Sequence, residues 1–222
     1  MIKLKKGQIP DILATNAENW TRNVLEKIAL GEKLSTADDA RYRHPEVKAA
    51  LVAETRGKCA YCESKLKHIH HGDVEHITPK SLTPEKRYDW SNLTLACEVC
   101  NQNKSNKDPS ANYIIDPYAI DPADHLVFVG SFVFSLGTNY GKNTEVLLDL
   151  NRVALLEQRK VHLEKIMGVY DILLKDTLPI QTRKVIYEKL IADDTGPSSE
   201  YAGMLRCVVR GMREKLPAEL LQ

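Results

Sequence analysis

Nowhere do the 222 residues hold an apolar run near the roughly 18 that a membrane span needs. The stretch Met1 to Gly7 is basic but leads into no apolar segment of the kind a secretory signal carries. Charge of one sign is missing too. Thirty-one Lys and Arg stand against 30 Asp and Glu, a net charge of +1. That excludes a polybasic chain that coats nucleic acid unaided, and equally an acidic solvating tail. Cysteine is sparse and odd in number. Five in this length are too few to staple a secreted scaffold. The expectation is a cytoplasmic protein with reduced thiols and no membrane contact.

What is present is organised around those thiols. Four of the five form two C-x-x-C pairs, Cys59-Cys62 and Cys97-Cys100, separated by 34 residues. Each pair can close a tight turn on one side of a metal, and four thiolates complete a tetrahedral shell with no open position. This is the donor set of a structural Zn2+ site. Cys207 falls on an apolar helical face and reads as core packing. The 34 intervening residues exceed what a simple zinc ribbon needs. Zinc would pin the ends of an insertion that carries the function.

The flanks read as helical. Residues 9–33 show an apolar face at helical spacing, residues 33–43 a polar connection, and His44-Pro45 opens a second helix that ends near Gly57. Residues 126–129 and 132–134 flank Gly130-Ser131 as a hairpin, with Phe128, Phe132 and Phe134 expected in its core. Helical pattern resumes at Thr144. Asn151 is a candidate N-cap for a long helix, and two more helices follow. The fold class expected is mainly α with a small α+β insert. Its parts are a helical region at 1–57, a zinc-bearing ββα unit at 58–113, and a hairpin with helices at 114–222.

Inside the insert, Val74 and Ile77 belong to a strand ending at Pro79, and Leu93 and Leu95 alternate as a second. The second knuckle starts a short helix bearing Asn101 and Lys104. His68, His70 and His71 read as the solvent side of a strand and its turn.

The run Glu75-His76-Ile77-Thr78-Pro79, then Asn92-Leu93, then Cys97 through Lys104 resembles the HNH nucleases, the ββα-metal family, over about 50 residues. Cys59 to Glu63, Val74 to His76 with Pro79 to Ser81, Asp116-Pro117 and Leu148 to Arg152 are similar to the HNH subunit of the Septu anti-phage system, relatives of which serve as effectors of some retrons. The resemblance implies a metal-dependent endonuclease with His76, Asn92 and Asn101 in its site. A water must be activated in line with the leaving oxygen, and an imidazole suits that task; His76 takes it. Glu75 and Asn101 would hold a catalytic Mg2+ or Mn2+, with Asp73 the alternative acid. Asn92 would fix the loop that carries His76. Lys80 and Lys104 are candidate phosphate contacts. The resemblance also implies an ATPase subunit of a defence complex as partner, docked on the helical flanks and gating cleavage. Two rival readings remain open: an HNH effector that cleaves RNA such as tRNA, and a zinc-dependent binding module without catalysis.

Overall fold

The computed structural model describes residues 1–66 and 72–221. His68, His70 and His71 lie outside the described residues.

Helix α1 (Asp11–Ala29) starts after Pro10, whose fixed φ suits a helix entry, and turns Leu13 and Val24 inward. The expected polar connection contains a helix instead, α2 (Thr36–Ala40), continued by a 3-10 turn at Arg41–Arg43. Ser35 and Asp38 form a reciprocal capping box there. A polar five-residue helix has no apolar stripe to betray it; the cap and a buried aspartate hold it. Helix α3 (Pro45–Glu54) has Pro45 at its first turn and buries Val47 and Leu51.

The insert is a ββα unit. Strand β1 (Asp73–His76) pairs antiparallel with β2 (Leu93–Ala96), in the register Asp73 to Ala96, Glu75 to Thr94 and His76 to Leu93. Helix α4 (Glu98–Lys104) follows, capped by the Cys97 sulfur, and α5 (Pro109–Asn112) closes the unit. Every residue of β2 is buried, because α3 covers it on one side.

Beyond it, β3 (Leu126–Val129) and β4 (Phe132–Ser135) make the hairpin. Then come α6 (Asn139–Leu147), α7 (Val153–Leu174), α8 (Ile180–Asp194) and α9 (Ala202–Met212). Two expectations fail here. Asn151 does not cap α7: its amide bonds the backbone N–H and carbonyl of Val133 at 2.9 and 2.8 Å, joining hairpin to helix. Phe132 and Phe134 are not core. They stack on each other at the surface, 47% and 45% exposed, because β4 turns Val133 inward. In a strand the side facing the core alternates residue by residue, and pattern alone picks the wrong face when both are apolar.

One hydrophobic core runs through all three regions, from Leu13 and Leu51 through Leu93 and Leu95 to Leu155, Tyr170 and Leu205. Burying each such aliphatic side chain is worth about 1.5–3 kcal/mol, so the ββα unit is held from both flanks. No helix among the described residues is long and apolar enough to cross a membrane.

Candidate nuclease site and zinc centre

The two knuckles meet. The sulfurs of Cys59, Cys62, Cys97 and Cys100 all lie within 4.8 Å of one another, with Cys62 and Cys97 3.8 Å apart. Tetrahedral zinc with Zn–S bonds of about 2.3 Å has S–S edges of about 3.8 Å, so the four thiols fit Zn2+ as they stand. Cys59, Cys62 and Cys100 are buried.

Two contacts bind this centre to distant segments. The Arg152 guanidinium lies 3.7 and 3.8 Å from Cys100 Sγ and 3.8 Å from Cys97 Sγ. A four-thiolate zinc site carries two net negative charges, and this cation offsets part of them. Glu63, directly after the first knuckle, pairs with Lys58 at 3.3 Å and accepts from the Gly203 N–H at 3.1 Å, at the start of α9. A Cβ at Gly203 would meet Glu63 Oε2 at 2.9 Å, so the approach needs a glycine.

Beside the zinc centre, β1, α3 and α4 enclose a cavity of about 1060 Å³. Asp73, Glu75, His76, Lys80 and Asn101 line it together, so most of the predicted site residues do converge. His76 is 6% exposed, and its Nε2 lies 2.9 Å from the Arg87 carbonyl. A carbonyl only accepts, so Nε2 carries the hydrogen and the lone pair of the neutral ring is on Nδ1. Burial pushes the pKa of His76 down to about 4, against the bond to the Arg87 carbonyl, and the neighbouring cations Lys80, Arg87 and Lys104 add to the drop. At neutral pH the imidazole is therefore in its base form.

Asn92 does not line the cavity. Its side chain accepts from Thr78 N–H at 2.7 Å and donates to the carbonyls of Thr78 and Lys86 at 2.9 and 3.2 Å. It thus clamps both ends of the loop that follows His76.

The acids divide. Asp73 accepts from the Asn101 amide at 3.0 Å. Glu75 is buried and its Oε1 sits 2.8 Å from Lys104 Nζ, an ion pair by distance, yet among the described residues that oxygen accepts no aligned hydrogen bond. Burial raises the Glu75 pKa, with Lys104 opposing. Carboxylate and amide oxygens on one wall, one of them short of donors, are the hard donor set that suits a divalent cation such as Mg2+.

Lys104 is not where a phosphate contact must be. It is fully buried, and its ammonium is used by Glu75 and by the His76 carbonyl at 2.9 Å. Three residues beyond Asn101, it lies one helical turn along the face of α4 that packs on β1. Lys80 keeps partial access, bonded to Asp39 at 2.7 Å and the Tyr42 hydroxyl at 3.1 Å.

The helical region at 1–57 contributes to the cavity wall. Tyr42 packs its ring edge-on against His76, centroids 4.5 Å apart, and Arg43 and Lys48 line the same cavity. Nothing in the spacing of residues 36–48 signals this, because the approach is made by the packing of α3 against β2.

Residues 59–107 match the family model described as HNH endonuclease. With the knuckles, β1, β2 and α4 in this arrangement, they form an HNH endonuclease domain. At greater length the chain is similar to two proteins named Septu protein PtuB. One, from Bacillus thuringiensis, is 24% identical over 221 residues, covering 94% of this chain and 82% of that relative. The other, from Bacillus mycoides strain KBAB4, is 26% identical over 196 residues, covering 72% of this chain and 66% of the relative. The alignment therefore extends well into both helical flanks.

Proposed function

We propose that this chain is the nuclease subunit of a Septu-like or retron-associated anti-phage system, hydrolysing phosphodiester bonds in nucleic acid with a divalent cation. The observation that carries the reading is the single cavity in which a neutral His76, Asp73, Glu75 and Asn101 face one another beside Lys80. Nδ1 of His76 takes a proton from the attacking water, with the Arg87 carbonyl holding the ring in the needed tautomer. Asp73, Glu75 and Asn101 hold Mg2+ or Mn2+, which when bound neutralises charge growing on the phosphate and leaving oxygen. Lys104 opposes the rise that burial imposes on the Glu75 pKa and braces the strand at His76. Asn92 is a positioning residue, keeping the following loop in register. Lys80 contacts substrate phosphate. The cysteine centre holds structural Zn2+ and takes no part in the chemistry.

Similarity to PtuB proteins along both flanks supports an ATPase subunit as partner, docked outside the cleft and gating cleavage. A net charge of +1 fits that reading, since backbone affinity comes from neutralising several phosphates. The test compares wild type and His76→Ala on plasmid DNA and on tRNA with Mg2+ or Mn2+, alone and with the proposed ATPase partner. His76→Ala should keep its zinc and fold while cleavage falls about 10²–10⁴-fold. Cleavage retained by the variant would overturn the site. Rapid complete digestion by the chain alone would overturn the gating.

A further inference from the structure

Asp39, at the surface of α2, reaches across to two cations of the loop behind His76. Its Oδ1 lies 2.7 Å from Lys80 Nζ and 2.6 Å from an Arg87 nitrogen. The Arg87 side chain is 7% exposed and that of Asp39 55%. Among the described residues the buried Arg87 Nε has no hydrogen-bond partner, so the guanidinium has donor capacity in reserve. Arg87 is also the residue whose carbonyl orients His76, and Lys80 lines the cleft. A Lys and an Arg converging on one oxygen, beside a general base, make a site for an anionic tetrahedral group.

Resting on the nuclease reading, we propose that Lys80 and Arg87 form a subsite for a backbone phosphate of the nucleic acid, and that Asp39 occupies it when no substrate is bound. The carboxylate supplies the same negative oxygen that a phosphate would. It sits on a short helix outside the ββα unit, held by its own cap, by Lys27 on Asp38 and by the Tyr88 hydroxyl on the Asp38 carbonyl. Three residues on, Tyr42 covers His76 and its hydroxyl accepts from Lys80 at 3.1 Å. Exchange of Asp39 for a phosphate keeps both cations paired, so the pair itself need not be desolvated again. The segment bearing Asp39 and Tyr42 would shift as one, uncovering the imidazole when the phosphate arrives.

The experiment measures binding of the full chain to a fluorescent DNA duplex and to an RNA hairpin, without added Mg2+ so that nothing is cut, over a range of salt. Asp39→Asn should bind several-fold tighter than wild type. It should also tighten binding more than Glu157→Gln, which makes the same charge change on exposed α7. Lys80→Gln should weaken binding and flatten the slope of log K against log salt by about 0.9 on duplex DNA, the loss of one phosphate contact. If Asp39→Asn fails to fold, Lys80→Gln carries the test alone. Asp39→Asn no tighter than Glu157→Gln, or Lys80→Gln with an unchanged slope, overturns the subsite. If that happens while wild type still cuts with Mn2+, the nuclease reading stands and only the subsite falls; if wild type cuts neither nucleic acid even with its ATPase, the nuclease reading itself falls.

Discussion

Lys104 Nζ lies 2.8 Å from Glu75 Oε1 and 2.9 Å from the carbonyl of His76, and no part of its side chain reaches solvent. One ammonium thus serves the acid of the motif and the backbone of the base. Removing it strands a buried carboxylate. Lys104→Met should destabilise the protein by about 3–5 kcal/mol, and adding Glu75→Gln should restore much of that. Urea denaturation of the two variants checks it. A single variant as stable as wild type would mean that Glu75 is not charged there.

Asn92 makes three side-chain bonds to backbone at both ends of the loop that follows His76. Asn92→Ala removes the partners of three part-buried backbone groups, at about 1 kcal/mol each. Cleavage should fall through kcat more than through KM, since the residue touches no substrate and sets where His76 stands. Asn92→Asp should not rescue it, because an ionised carboxylate has no donor for the two carbonyls. Steady-state kinetics on a cleavable oligonucleotide separates the two parameters.

The cysteine centre and Arg152 belong together. Loss of a ligand in Cys59→Ser or Cys100→Ser removes a site of the kind that supplies roughly 10–16 kcal/mol in small zinc domains, so these variants should be insoluble or protease-sensitive. Arg152→Gln should fold, but should release zinc to a chromogenic chelator faster than wild type. Arg152→Lys should not restore the wild-type rate, since a point charge cannot reach both sulfurs as the planar fork does. Release at the wild-type rate in both would show that the Arg152 contacts do not hold the metal.

Asp38 governs a pH response. Its carboxylate accepts from Lys27 at 2.6 Å and from the Ser35 hydroxyl at 2.6 Å while buried. The bonds from Lys27 and Ser35 hold its pKa well below the usual carboxylate range, despite burial. A depressed folded pKa contributes stability that is complete above the unfolded value near 4 and is lost as pH falls below it. The α2 segment over His76 should therefore loosen under acid before the core does. Asp38→Asn should remove that part of the acid dependence and cost about 1.5–3 kcal/mol at neutral pH. Hydrogen exchange of the amides at 36–43, followed between pH 3 and 6, reports it.

The paired cysteines, the first strand, the second strand and the helix bearing Asn101 were legible in the order of residues, although the first strand stops at His76 and not at Pro79. Each is a short element whose spacing is set by local geometry: two cysteines across one turn, alternation along a strand, one face of a short helix. His76 and the loop clamp Asn92 came with that pattern. The meeting of the two cysteine pairs and of Glu75 with Asn101 also came with the motif, but the approaches of the flanking segments to the insert did not. Lys104 reads as a candidate phosphate contact until α4 lies against β1 and turns it inward. Phe132 and Phe134 read as core until β4 commits Val133 to the interior. Asp39, Tyr42 and Arg43 sit in a polar stretch without periodicity, and only the seating of α3 on β2 brings them over the cleft. Arg152 stands 52 residues from Cys100, and the core joining the flanks to the insert decides that they meet. Local spacing is dictated by backbone geometry within a few residues, whereas these approaches depend on which apolar faces share one core, and that is a property of the whole chain.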